Sequence, residues 1–260
     1  MQLQIFQIDA FAERVFEGNP AAVCPLEEWL PDHILQKIAL ENNLSETAFF
    51  VPSGAGFRIR WFTPTTEVDL CGHATLASAY VLFNHLGHGG DTVRFESRSG
   101  ILAVRRLGDR LELDFPNQAP KPCEAPANLL RAFSLERAEC LKHQDYILVA
   151  EDLAQVVSAR PDLDLLRKLD LRGVCLTALG DTHDFVSRFF APRFGIDEDP
   201  VTGSSFTQLA PYWGARLGKQ VMRARQVSSR GGEVECRLEG DRVFISGKAV
   251  LYLEGSIRIP

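Results

Sequence analysis

Cysteine is sparse in this chain and never closely paired. Cys24, Cys71, Cys123, Cys140, Cys175 and Cys236 stand far apart, with no C-x-x-C among them. Six thiols in 260 residues are too few for a disulfide scaffold and read as reduced thiols of a cytoplasmic protein. Positive charge is also in deficit: 28 Lys plus Arg against 34 Asp plus Glu leave −6, the wrong sign for a chain that binds by neutralising phosphates. Neither nucleic acid nor anionic membrane is expected as a partner. The longest run without a formal charge, Leu70 to Gly90, is broken by Asn84, three histidines and a glycine-rich end. It suits a buried, Ala-rich helix better than a membrane span. The opening MQLQIFQIDAF has no basic n-region and reaches Asp9 after a short alternating stretch, as a strand does and a signal peptide does not.

Motif absences narrow the chemistry. There is no G-x-x-x-x-G-K-[ST], G-x-G-x-x-G, H-E-x-x-H or G-x-S-x-G, so phosphate-loop, dinucleotide, zincin and hydrolase-elbow readings lack their residues. Of six histidines only His85-x-x-His88 is a close pair, and it lies in a glycine-rich helix exit that reads as a C-cap rather than a metal site. Only six lysines occur, none in a Schiff-base context. What remains is an acid–base enzyme for which no cofactor and no metal is expected.

What the chain does contain is a repeat. At an offset of 128, FRIRWFTP (57–64) lies over FVSRFFAP (185–192) with four identities in eight. At an offset of 132, SRSGILAVRRLGDRLEL (97–113) lies over SRGGEVECRLEGDRVFI (229–245) with seven in seventeen. Between them, at an offset of 130, Pro31-Asp32-x-x-Leu35 lies over Pro161-Asp162-x-x-Leu165, each opening an apolar helical pattern. Three collinear matches with nearly constant offset argue for duplication. Each half then reads as the same series. A first strand is followed by a helix near 31–42, strands near 46–52 and 57–63, and an acid-rich loop. A glycine-led helix follows near 72–86, then strands near 92–97 and 101–106 and one ending at Phe115. In the second half the glycine-led helix begins near 203.

The expected fold class is α+β, with two similar domains, each a curved, barrel-like, mostly antiparallel sheet around a central helix. They are related by a pseudo-twofold duplication, with the active site in the cleft between them. Helix 74–86 should turn Ala74, Ala77 and Val81 inward. The boundary is placed at the Pro-rich stretch 116–122, giving domains 1–117 and 118–260, and residues 247–260 could return to add a strand to the first domain.

Both Cys71-Gly72-His73-Ala74 and Thr202-Gly203-Ser204-Ser205 put small residues at a helix start, where unbonded N–H groups and the positive dipole end attract an anion or polarise a carbonyl. Acids precede both: Glu67 and Asp69, and Asp197, Glu198 and Asp199. In loops of this kind most acids are solvated. Glu46 differs, because it opens an apolar strand directly after a helix end, where a partly buried carboxylate suits a group that accepts and returns a proton.

These residues resemble the phenazine-biosynthesis PhzF-like family, relatives of diaminopimelate epimerase. The resemblance runs along nearly the whole chain. It is carried by Gly18-Asn19-Pro20-Ala21-Ala22-Val23, Ser45-Glu46-Thr47-Ala48-Phe49, Leu70-Cys71-Gly72-His73-Ala74-Thr75-Leu76-Ala77 and Glu198-Asp199-Pro200-Val201-Thr202-Gly203-Ser204. It implies a cofactor-independent isomerase, usually a homodimer, acting on a small carboxylate such as trans-2,3-dihydro-3-hydroxyanthranilate. By motif, Glu46 is the proton shuttle and His73 and Asp199 orient substrate, while Ser45, Gly72, Gly203 and Ser204 supply hydrogen bonds. Epimerase relatives use one Cys from each half; here Cys71 stands alone, since the second-half motif has none. The alternatives are an amino-acid racemase or epimerase depending on Cys71, and a non-catalytic small-molecule-binding relative. The latter is suggested by Ser205-Phe206, where the family pattern continues with a small residue and His.

Overall fold

A computed structural model describes residues 1–259. The chain divides into two compact units, Met1–Asp114 together with the segment from Ser246, and Phe115–Ile245. Among the described residues no helix is long and apolar enough to cross a membrane.

The first unit contains β1 (Gln2–Ala10), β2 (Asn19–Pro25), α1 (Asp32–Asn42), β3 (Glu46–Ser53), β4 (Gly56–Phe62), β5 (Glu67–Val68), α2 (Gly72–Asn84), β6 (Thr92–Ser97), β7 (Gly100–Leu107) and the start of β8 (Arg110–Pro116). β1 and β2 are antiparallel, β2 and β3 parallel, and β3 and β4 antiparallel. One edge of β4 is then shared: β6 pairs in parallel with its start and β5 antiparallel with its end. β6, β7 and β8 continue as an antiparallel meander. The curved sheet wraps α2, which packs on β1, β2, β3 and β7. Ala74, Ala77 and Val81 of α2 are fully buried, as are Leu76 and Ala79. Such all-round apolarity is stable only for an enclosed helix. His85 is its C-cap and donates its N–H to Val81 O at 2.9 Å. Between β1 and β2, Gly18 has φ +66°, and a Cβ there would lie 2.1 Å from Ala10 O. Only glycine lets the chain turn back at this point.

The second unit repeats the series. β9 (Lys121–Pro122), α3 (Ala127–Ala132), β10 (Glu139–Lys142), β11 (Tyr146–Val149), α4 (Leu153–Ser158), α5 (Leu163–Leu166), β12 (Val174–Leu179), β13 (Phe185–Ala191) and β14 (Ile196–Asp199) lead to α6 (Phe206–Leu217), β15 (Val221–Gln226), β16 (Gly232–Glu239) and the start of β17 (Arg242–Gly247). β10 and β11 are antiparallel, β11 and β12 parallel, β12 and β13 antiparallel. β13 again shares an edge, antiparallel with β14 and parallel with β15, and β15 pairs with β16. Strand for strand this is the path of β1 to β7, with α6 in the place of α2. The single 11-residue α1 has no single counterpart: Asp32 opens α1, whereas Asp162 caps the four-residue α5 after the separate α4. Pro161 cannot continue α4, and Arg188 takes carbonyls of its last turn at Val156 and Ala159. Within α6, Pro211 has no N–H for Thr207 O, and Gln118 donates its backbone N–H to that carbonyl at 3.1 Å instead. Phe206 is fully buried with its ring 6.1 Å from that of Phe185, so its bulk fills the core of this unit.

The chain then returns to the first unit as β18 (Ala249–Arg258). It runs antiparallel to the whole of β1, from Ala10↔Ala249 to Gln2↔Arg258, with a bulge at Gln7/Ile8.

Candidate active site

In the first unit the sheet and the central helix bring three side chains together. Glu46 opens β3 opposite Ala21 of β2, directly after the half-buried Ser45. α2 begins at Gly72, with Cys71 at the N-cap in an extended conformation and no side-chain capping bond. The first-turn N–H groups therefore face out of the positive helix end. His73, on that turn, sets Nε2 3.2 Å from Glu46 Oε2 and Nδ1 3.6 Å from Cys71 Sγ. All three residues are buried. Glu46 Oε2 is shielded from solvent and makes no aligned hydrogen bond, so the His73 approach is an ion-pair contact rather than a directed bond.

Burial disfavours a charged imidazole, but the adjacent Cys71 and Glu46 outweigh it and push His73 well above its ordinary value. Burial and the Glu46 carboxylate push the Cys71 thiol up to about 11, so it is a neutral, poorly nucleophilic group near pH 7. Glu46, Cys71 and His73 present O, S and N atoms within 4.8 Å of one another, a set of atoms that could meet at one cation if the thiol gave up its proton.

In the second unit Asp199 ends β14, and its Oδ2 accepts from Thr202 Oγ1 at 2.5 Å. Gln226 of β15 holds this loop, donating to Asp199 O at 2.6 Å and accepting from Thr202 N at 2.9 Å. Gly203, Ser204 and Ser205 form one 3-10 turn into α6. Ser204 Oγ accepts from Arg172 Nη1 at 2.9 Å. Arg172 is itself forked onto Asp145, with Nε–Oδ1 at 2.8 Å and Nη2–Oδ2 at 2.6 Å. Gln208 of α6 donates to Asp145 Oδ2 at 2.6 Å.

The structure thus gathers Ser45, Glu46, Gly72 and His73 at one place in the first unit, and Asp199, Gly203 and Ser204 at one place in the second. Arg172, Asp145 and Gln208 were not singled out from sequence. The signal that could have found them is the duplication, since Arg172 stands just ahead of β12, where Glu46 opens β3. In the acid-rich loops Asp69 and Asp197 are exposed, as expected of most such acids, whereas Glu67 and Glu198 are held by arginines. Arg60 grips Glu67 through Nε–Oε1 at 2.7 Å and Nη2–Oε2 at 2.8 Å, and Arg188 grips Glu198 at the same two distances. Each guanidinium also lies over a ring, Phe62 at 5.1 Å and Phe190 at 5.0 Å. The identities at 60/188 and 62/190 therefore preserve one clamp on the segment that precedes each glycine-led helix.

Known proteins are similar to this chain in sequence and fold. The model of the phenazine biosynthesis-like protein family, PhzC-PhzF, matches residues 8–255. An uncharacterized isomerase of Pseudomonas aeruginosa is 53% identical over 259 residues, covering 100% of both chains. The crystal structure of a PhzF-family phenazine biosynthesis protein from Enterococcus faecalis superposes with a TM-score of 0.97 at 46% identity, covering 100% of each chain. That of a PhzC/PhzF protein described as putative from Clostridium difficile gives 0.94 at 43%, covering 99% of this chain and 100% of that one. A family model spanning nearly the whole chain and full-length relatives above 40% identity leave one assignment: the chain belongs to the phenazine biosynthesis-like PhzC-PhzF family.

Proposed function

We propose that this isomerase moves a proton between two carbons of a small cyclic or amino-acid-like carboxylate, of the trans-2,3-dihydro-3-hydroxyanthranilate type, with Glu46 as the acid/base. The observation that carries the reading is the buried Glu46 oxygen, free of any aligned hydrogen bond and 3.2 Å from His73 Nε2. A carboxylate held this way has an oxygen available to take a proton from carbon. The C–H bond electrons remain on the substrate as a delocalised enolate-type anion, and the Glu46 carboxylic acid, whose proton exchanges with solvent before it is returned, protonates a different carbon. Atoms and electrons balance without a further reactant. His73, pushed toward its protonated form, steadies the negative charge while Glu46 is deprotonated, and N–H groups at a helix start favour the oxygen on which substrate charge gathers. Ser45, Gly72, His73, Asp199, Gly203 and Ser204 are assigned to substrate hydrogen bonding.

The test is solvent-deuterium incorporation. Glu46→Gln keeps the size of the side chain and removes the base, so exchange into an accepted substrate should stop. Exchange at the native rate in that variant would overturn the assignment.

A further inference from the structure

The two copies treat the residue after the helix-leading glycine in opposite ways. In the first that residue is His73, and the neighbour that opens β3 is an acid, Glu46. In the second it is Ser204, and the neighbour just ahead of the corresponding β12 is a base, Arg172. The strand registers place Arg172 at the equivalent of Ser45, one residue ahead of Glu46, so neighbouring rather than identical positions carry the opposite charges.

Arg172 is held from several sides. Its fork on Asp145 uses Nε and Nη2, and its face lies 5.3 Å from the Phe189 ring centre. Gly173 permits this packing, since a Cβ there would meet Phe189 Cζ at 2.5 Å. Asp145 is fully buried and takes a further hydrogen bond from Gln208, so the guanidinium cannot leave without stranding a buried charge. The geometry therefore fixes the direction of Nη1, which donates to Ser204 Oγ.

A hydroxyl has one proton to give and lone pairs to receive. With Arg172 donating into Ser204 Oγ, the Ser204 proton is left for another acceptor, and no hydrogen bond from it to a described residue is present. Asp145 is fully buried behind the guanidinium, whereas 36% of the Arg172 side chain is exposed. The ion pair thus acts as a dipole with its positive end toward Ser204. The nearby Asp199 carboxylate is engaged by Thr202.

We propose that Arg172 is a positioning and specificity residue: it makes Ser204 an obligate hydrogen-bond donor and selects a carboxylate oxygen of the substrate over a neutral carbonyl. This rests on the reading that the substrate is a small carboxylate. Isothermal titration with anthranilate and its neutral counterpart anthranilamide tests it on the full chain. Wild type should favour the carboxylate at least tenfold. Arg172→Met should bring the ratio near one, and Arg172→Lys should restore part of it by returning the charge. Ser204→Ala leaves the Arg172–Asp145 fork intact and should also lower the ratio, which keeps the test decisive if Arg172→Met fails to fold. Glu46→Gln should keep the full ratio while losing deuterium exchange. Loss of exchange without loss of selectivity thus separates this inference from the acid/base assignment. A wild type without preference, including one that binds neither compound, would overturn the proposal, as would full selectivity in Arg172→Met or in Ser204→Ala.

Discussion

If the Arg–Glu clamp is one device kept in two copies, its energy should be the same in both. The perturbation is a pair of double-mutant cycles, Arg60→Met with Glu67→Gln and Arg188→Met with Glu198→Gln. Both pairs show the same bidentate distances, 2.7 and 2.8 Å. Both are also shielded, with side-chain exposures of 18% and 13% in the first copy and 8% and 25% in the second. Charge-assisted bonds at this depth, after desolvation and screening, support a coupling of about 2 kcal/mol per pair. The single substitutions should differ. Arg188→Met also leaves the carbonyls of Val156 and Ala159 without their donor, whereas Arg60→Met releases Asp32, which is 74% exposed and regains water. Arg188→Met should therefore cost more than Arg60→Met, by about 1–2 kcal/mol, and the cycles remove that difference. Urea unfolding followed by circular dichroism at every corner of both cycles gives the numbers. A coupling below about 0.5 kcal/mol in either copy, the range of an ordinary surface pair, would refute the reasoning.

Four further outcomes follow from the geometry. Because the folded His73 is held well above its ordinary value of 6.5, the stability it contributes is fully present below pH 6.5 and is lost as pH rises through the folded value. The urea midpoint should accordingly fall on the alkaline side in wild type, and less so in His73→Asn. Cys71→Ala should retain deuterium exchange while losing about 1 kcal/mol of stability from the missing buried sulfur; its abolition would instead favour thiol chemistry. With Cys71 pushed up to about 11, iodoacetamide should also label this buried thiol slowly at pH 8, as read by mass spectrometry. Gly18→Ala places a Cβ 2.1 Å from Ala10 O at a φ of +66°, so it should cost well beyond the roughly 1 kcal/mol of an ordinary glycine replacement. A midpoint equal to wild type would show that the β1–β2 turn can shift freely.

Much of the secondary structure was legible because it rests on local pattern. The Pro31-Asp32 start marks α1, alternation marks β1, the apolar run after Glu46 marks β3, and the apolar, glycine-led run marks α2; the observed elements lie within a residue or two of these readings. Comparison of the halves gave the shared strand path, because residues such as Arg60 and Arg188 repeat at nearly constant spacing. The split of the second-copy helix into α4 and α5 was less legible, since it depends on Arg188 reaching back to carbonyls some 30 residues earlier. Glu67 and Glu198 were hidden for the same reason, while Asp69 and Asp197 are exposed as expected: a Glu in a loop looks solvated until the guanidinium that covers it is placed.

The sequence alone determined the duplication, the order of strands and helices, and the motifs that mark Glu46, His73, Asp199 and Ser204, since all of these depend on neighbours along the chain or on internal comparison. Tertiary structure alone decided the partners. It set His73 between Glu46 and Cys71, locked Arg172 to Asp145 and turned it onto Ser204, and laid β18 along β1 from the far end of the chain. Apart from the local His73–Cys71 pair, those contacts join residues 27 to 256 positions apart, and no period or spacing specifies them, because hydrogen-bond and charge complementarity act over ångströms in space.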